Sequence, residues 1–225
     1  YSGPAASVAG ALGFTGANDT VVVEVGGTST NVAAIREHRP SLSYVRVASH
    51  ATALRSVDVR VVGVAGGSML RVRRRRVYGV GPRSAHIAGL PYAAYAPAGT
   101  FTAGGPAARA VEFAPVSGDP ADYLAIEAAN GTRYALTNTC AAVALGIPEP
   151  GDYAATDPAE AVAAFAVAGA HLRLDGQEVA RRMLEASGTA VCDLVAAVAA
   201  DRNMPLATIS IMAVGGGAGG LGRHV

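Results

Sequence analysis

The sequence predicts a mixed α/β fold, and three observations carry the prediction. Near the N-terminus a β-branched run, Val21-Val22-Val23-Glu24-Val25, feeds a Gly26-Gly27-Thr28-Ser29-Thr30 turn and a second apolar run. In the last third, apolar residues recur at helical spacing behind capping signals at Asp157 and Asp175. Near the C-terminus another strand-like run, residues 209–214, enters Gly215-Gly216-Gly217-Ala218-Gly219-Gly220 directly.

Composition bounds the class. With 225 residues, 51% of them hydrophobic, and a formal charge of +1, the chain can bury a core and is too neutral for a disordered protein. No apolar run is read as a membrane span and no charged-then-apolar leader opens the chain, so a cytoplasmic protein without membrane contact is expected. Cys140 and Cys192 lack metal-ligand spacing and read as reduced thiols. All 18 basic residues are arginines, which removes a Walker-type phosphate loop and Schiff-base catalysis, since both need lysine. A phosphate site made from backbone and hydroxyls stays open. The chain starts at Tyr1 and stops at Gly222-Arg223-His224-Val225, just after a glycine-rich loop where a helix is due, so it is expected to be a piece of a longer protein.

In chain order, Ser2, Pro4 and the apolar run to Leu12 predict a short capped helix stopped by Gly13. Residues 21–25 read as a buried strand, Gly26-Gly27 as its turn, and Thr28, Ser29 and Thr30 add three hydroxyls. Successive N–H groups in such a turn form a concavity suited to phosphate oxygens. Glu24, beside it, is the candidate to hold Mg²⁺ through water. A plain surface hairpin is the competing reading. Residues 41–48 and 57–64 read as further strands, the second entering a turn at Gly63-Val64-Ala65-Gly66-Gly67-Ser68. Arg71-Val72-Arg73-Arg74-Arg75-Arg76 lacks interleaved aromatics and reads as the exposed bend of a hairpin, not a nucleic-acid surface.

Residues 81–135 are expected as an irregular insertion, opened by Gly81-Pro82-Arg83-Ser84-Ala85-His86, with a hairpin around Asn130-Gly131. Residues 137–144 fit a short helix ended near Gly146. Asp157, Pro158 and Glu160 open the next helix, with Val162, Phe165, Ala166 and Gly169 as its buried face. Val179, Met183, Ala186, Ala190, Leu194 and Val198 mark a stripe along one helix, or two broken at Gly188, ended by Asn203-Met204-Pro205. Residues 209–214 read as a buried strand. Strand, glycine turn and helix together are where a nucleotide can approach backbone. Gly217, Gly219 and Gly222 also satisfy G-x-G-x-x-G, but a lone match is weak and this stretch ends before any βαβ unit or ribose-binding acid could appear, so a dinucleotide site is not expected.

Five of these stretches in order resemble the ATP-dependent hydantoinase/5-oxoprolinase family, A (α) component: Ser2-Gly3-Pro4-Ala5-Ala6, Gly26-Gly27-Thr28-Ser29-Thr30, Val62-Gly63-Val64-Ala65-Gly66-Gly67-Ser68, Val80-Gly81-Pro82-Arg83-Ser84-Ala85 and Gly215-Gly216-Gly217-Ala218-Gly219. The resemblance implies the actin/sugar-kinase/Hsp70 superfamily and an RNase H-like half with a mixed sheet, a β-hairpin phosphate loop and C-terminal helices. Residues 1–225 would be the second actin-like half, the first lying outside this chain. It implies ATP and Mg²⁺ as cofactors, with Gly26, Gly27, Thr28, Ser29 and Thr30 as the second phosphate loop. Gly215, Gly216, Gly217 and Ala218 would belong to the adenosine loop.

The implied reaction is opening of a cyclic amide or imide, of hydantoin or 5-oxoproline type, by ATP-driven phosphorylation of the amide oxygen. Implied partners are a B-type (β) subunit, the missing N-terminal half and the small amide substrate, in an oligomer. The alternatives are a ketone carboxylase relative, a non-catalytic nucleotide-binding or scaffold subunit, and, more distantly, a sugar or acetate kinase relative. No catalytic residue is identified.

The sequence departs from the family pattern at Glu24 and Asn31, where aspartates flank the loop, and at Thr137-Asn138-Thr139-Cys140. Asn31 removes a charge and with it part of any metal affinity. His38, His50, His86, His171 and His224 are scattered without metal spacing. His86, in the motif-bearing loop, is the histidine to mutate. Asp58 reads as a local hydrogen-bonding partner, and Ser68 as a turn residue.

Overall fold

The computed structural model describes residues 2–48, 50–102 and 108–221. Gly222 of the G-x-G-x-x-G match, and His224, lie outside the described residues. Helix α1 (Ser2–Thr15) precedes strands β1 (Thr20–Val25), β2 (Thr30–Arg36), β3 (Arg39–Pro40), β4 (Leu42–Val47), β5 (His50–Val57), β6 (Val59–Val62), β7 (Ser68–Arg73) and β8 (Arg76–Ser84). A single helical turn, α2 (Ala85–Ala88), and a 3-10 turn at Ala93–Tyr95 lead to β9 (Arg109–Phe113), β10 (Tyr123–Glu127) and β11 (Arg133–Ala135). Helices α3 (Asn138–Ala144), α4 (Ala159–Leu172) and α5 (Gly176–Asp201), then β12 (Ser210–Val214) and α6 (Ala218–Leu221), complete it.

Strand β1 organises the first sheet. It pairs antiparallel with β2 across the 26–29 turn and parallel with β12, while β2 pairs on with β3 and β6. The sheet is therefore mixed. Val21, Val23 and Val25 pack into the main core with α3, α4 and α5, whereas Val22, Ala33 and Ile35 meet Val8 and Ala11 of α1. Burial on both faces is why this strand is a valine run without polar alternation. A second sheet runs β11-β10-β7-β8, with β9 on the other edge of β10, and β4–β5 is a separate hairpin.

Several expectations shift by a turn or a register. Helix α1 runs past Gly13 to Thr15, because the left-handed residue that ends it is Gly16, at φ 63°. The strand expected at 57–64 divides: Val57 closes β5, which the sequence reading left unassigned, and β6 follows it. The arginine run forms the β7–β8 bend, with Arg74 and Arg75 both at positive φ. Residues 81–135 are less irregular than expected, for they hold the end of β8 and all of β9, β10 and β11. The Asn130-Gly131 hairpin forms there, with Gly131 at φ 82°.

Helix α4 buries Ala161, Ala164, Phe165, Ala168 and Gly169, while Val162 and Ala166 face outward. Small residues win that face because α4 meets the start of α5 at close range: a Cβ on Gly169 would lie 2.6 Å from the Leu174 carbonyl oxygen. Helix α5 is continuous through Gly188, which is buried, and its stripe drifts from Met183 to Ser187, Val191 and Val195. An 18-residue window of α5 reaches a mean hydropathy of 1.5, long and apolar enough to cross a membrane by composition, contrary to the sequence reading. Its apolar face is part of the main core, against α3 and α4. Strand β12 is also not buried as expected. It lies at the sheet margin with Ile211 exposed, and no other strand pairs with it among the described residues.

Candidate functional site

Three glycine pairs from distant parts of the chain meet on one surface. The Gly66 N–H donates to the Gly26 carbonyl at 3.0 Å, the Gly67 N–H to the Gly27 carbonyl at 2.8 Å, and the Gly217 N–H to the Val25 carbonyl at 3.0 Å. Side chains are excluded by these approaches. A Cβ on Gly67 would stand 2.6 Å from the Gly27 oxygen and strike the Tyr92 hydroxyl, and one on Gly215 would stand 2.6 Å from the Val25 oxygen. Gly215 also sits at φ 96°, a conformation open to glycine.

Above these pairs lies a cleft of about 300 Å³ lined by Gly26, Gly27, Gly66, Gly67, Gly216 and Gly217, with Thr139 and Ala154 between them and Tyr92, Tyr95 and Tyr153 as its aromatic part. None of these residues is charged. Tyr92 and Tyr95 stack with centroids 5.9 Å apart. Burial pushes both phenols above the ordinary tyrosine range, with Cys140 and Tyr153 adding to it, so they stay neutral donors.

The Thr137–Cys140 segment anchors the floor. The Thr137 hydroxyl accepts from the Cys140 N–H and caps α3. The Asn138 amide donates to the Ala65 carbonyl at 2.8 Å, and Ser187 of α5 donates to the Asn138 oxygen at 2.9 Å. The Thr139 N–H and hydroxyl both reach the Gly66 carbonyl. Ser68 turns the 63–68 loop by accepting from the Ala65 N–H at 2.8 Å. Burial raises the Cys140 thiol above its ordinary range.

The structure brings together part of the predicted set. Gly26, Gly27, Gly216 and Gly217 line the cleft, and Gly66 and Gly67, first read as a plain turn, join them. Gly-Gly beside a strand was the signal available for that second pair. Thr28, Ser29, Gly215 and Ala218 flank the cleft without lining it. Thr30 is fully buried and donates to the Val64 carbonyl at 2.6 Å, so its hydroxyl braces the loop. The N–H groups of Gly26, Gly66, Gly67 and Gly217 are committed to protein carbonyls, while Gly27 and Thr28 at the turn's tip donate to no backbone carbonyl among the described residues.

Glu24 does not line the cleft. One carboxylate oxygen accepts from Ser7 of α1 at 2.7 Å and the other from the Asn31 amide at 2.9 Å. Among the described residues no group of three or more His, Cys, Asp or Glu side chains is arranged to hold a metal ion. No set of direct Mg²⁺ ligands is therefore built around Glu24 among the described residues. His86 is exposed on α2 and lines no part of the cleft. His171 pairs with Glu112 at 3.0 Å, and Asp58, expected to bond locally, pairs instead with Arg202 at the end of α5.

A neutral glycine floor under an aromatic rim, carried on a mixed α/β sheet, is the class of site this fold defines. The chain belongs to the hydantoinase/oxoprolinase family, whose model matches residues 1–225. Its fold is similar to that of nucleotide-free acetone carboxylase, from a study of ATP-dependent acetone carboxylation, at 20% identity and a TM-score of 0.67. It is also similar to the ATP-dependent caprolactamase of Pseudomonas jessenii, at 16% identity and a TM-score of 0.63. Each likeness covers 98% of this chain but 28% of the other, so the chain spans under a third of these relatives. No curated protein matches it.

Proposed function

We propose that residues 1–225 form the second, RNase H-like half of an ATP-dependent hydrolase that opens a cyclic amide or imide of hydantoin or 5-oxoproline type. The observation that carries the reading is convergence. Gly26-Gly27 and Gly216-Gly217, far apart in the chain, share one cleft floor that carries no side chains of their own. Such a floor admits phosphate oxygens to backbone distance, and the free turn amides at Gly27 and Thr28 suit them. Family membership and the likeness to two ATP-dependent enzymes support ATP as co-substrate.

On this reading residues 26–30 are the second phosphate loop and 215–218 the adenosine loop. ATP supplies the phosphoryl group that turns the amide oxygen into a leaving group. The described residues contribute position: a rigid floor, neutral tyrosine hydroxyls and few competing charges. The first half, a B-type component and oligomer partners in the cytoplasm belong to the proposal. Magnesium enters with the nucleotide, because no carboxylate among the described residues lines the cleft.

Calorimetric titration of the full-length protein with Mg·ATP, beside an Asn31→Asp version, tests the reading. Micromolar binding by the unaltered protein supports it. A second reading, a non-catalytic scaffold, is favoured by the Glu24–Asn31 pair, which closes on itself and leaves no free carboxylate there. Absence of binding, restored by Asn31→Asp, decides for that scaffold.

A further inference from the structure

We propose that Tyr153 is the stacking platform for the planar base of the nucleotide, so that the cleft selects its ligand by a ring at one end and by phosphates at the other. The inference rests on the nucleotide reading above.

Tyr153 sits between α3 and α4 on a turn held by three hydrogen bonds. The Asp152 N–H donates to the Glu149 carbonyl at 3.0 Å, the Ala155 N–H to the Asp152 carbonyl at 3.0 Å, and the Glu149 N–H to the Asp152 carboxylate at 2.8 Å. The turn is thus fixed, yet the tyrosine at its tip is 93% exposed while still lining the cleft. A tyrosine ring free to fold back would cover apolar surface, and here it stands out over a loop without side chains. Its Cδ1 would lie 4.0 Å from a Cβ on Gly216, and no Cβ is there. Ring and glycine backbone stand close to van der Waals distance there, and with the stacked Tyr92–Tyr95 pair they line the aromatic part of the cleft.

The chemistry of the cleft excludes most occupants. Among the described residues no charged side chain lines it, so they offer no counter-ion for a carboxylate or an ammonium group. Its recognition elements are a π face, backbone and phenol hydroxyls, which match a flat heteroaromatic ring with polar edges. Tyr95 is 48% exposed and already stacked on Tyr92, whereas no ring or guanidinium is stacked on Tyr153 among the described residues. Tyr153 is therefore the face available to a ligand.

The test uses the full-length protein and two probes, ATP and inorganic tripolyphosphate, which carries the charge without the ring. Dissociation constants are measured by calorimetry for the unaltered protein, Tyr153→Phe and Tyr153→Ala. Tyr153→Ala is expected to weaken ATP by about 10- to 100-fold, the usual scale of one base–aromatic stack, and to leave tripolyphosphate unchanged. Tyr153→Phe is expected to keep the affinity for ATP, and neither variant to shift the melting temperature. Unchanged ATP binding in Tyr153→Ala overturns the inference alone, as does an equal loss for both probes. A change confined to the KM of a cyclic amide overturns it too, and gives the ring to the substrate. If the unaltered protein binds neither probe, the nucleotide reading has failed and this inference with it.

Discussion

Replacing Glu160 by glutamine is expected to loosen the tyrosine-bearing side of the cleft, by an amount that follows from three hydrogen bonds. Glu160 opens α4 but does not close a capping box. Its side chain crosses to the loop after the Ala93–Tyr95 turn and accepts from the Gly99 N–H at 2.7 Å, the Phe101 N–H at 2.7 Å and the Thr102 hydroxyl at 2.6 Å. Glutamine keeps one acceptor oxygen for Gly99 and Thr102 and turns an NH₂ toward the Phe101 donor. One charge-assisted bond is lost and two become neutral, about 3 kcal/mol together. For a domain of this size that lowers the melting temperature by roughly 6–12 °C.

The pH dependence adds a signature. Burial pushes the Glu160 carboxyl up, but the hydrogen bonds from Thr102, Phe101 and Gly99 outweigh it and hold the group below the ordinary carboxylate range. A depressed folded pKa gives stability that is complete above the unfolded value and lost as pH falls through the folded one. The gap between unaltered and Glu160→Gln melting curves by circular dichroism should be full at pH 7 and close in acid. A gap under about 2 °C at pH 7, or one constant through the acid range, refutes the reasoning.

Gly67→Ala should destabilise by about 1–3 kcal/mol in urea, because backbone as well as Tyr92 must move, and should weaken ATP in calorimetry. Asn138→Ala removes one of two donors to the Ala65 carbonyl, which keeps the Ser68 N–H, and the acceptor of the Ser187 hydroxyl, so a loss of about 1–2 kcal/mol is expected from urea unfolding. Tyr123→Phe removes the hydroxyl that donates to the Gly81 carbonyl at 2.9 Å, for about 1 kcal/mol in the same assay. Cys140 should resist a thiol reagent in the native protein and react only in denaturant, since burial keeps it protonated and covered; labelling counted by mass spectrometry checks this.

How much of this was legible depended on how local the cause is. The β1–β2 turn, the Asn130-Gly131 hairpin and the Asp175 cap are written in neighbouring residues, and they stand where the sequence put them. The faces of α4 and α5 are set by distant partners, so the stripe slipped to Ala161, Ala164 and Ala168 in α4 and to Ser187, Val191 and Val195 in α5. Gly66 and Gly67 looked like any turn because their role arises from the backbone of residues 26 and 27, forty positions away. Glu24 looked like a metal ligand because its hydrogen-bonding partner Ser7 lies on another element. Tyr92, Tyr95 and Tyr153 carried no spacing signal, since two segments deliver these rings over a glycine floor drawn from three others.

The parallel pairing of β1 with β12 sets a timetable for synthesis. Val21 and Val23 lie beside Ile211 and Ala213, and the Gly217 amide closes on Val25. The glycine floor therefore cannot form on the ribosome until residues beyond 210 have emerged, however early the β1–β2 hairpin folds. During that wait a valine strand presents an open edge to other nascent chains, the sort of long-range closure that folds slowly and invites aggregation. Production of this protein should therefore respond more to chaperone supply and growth temperature than to further stabilisation of the hairpin itself.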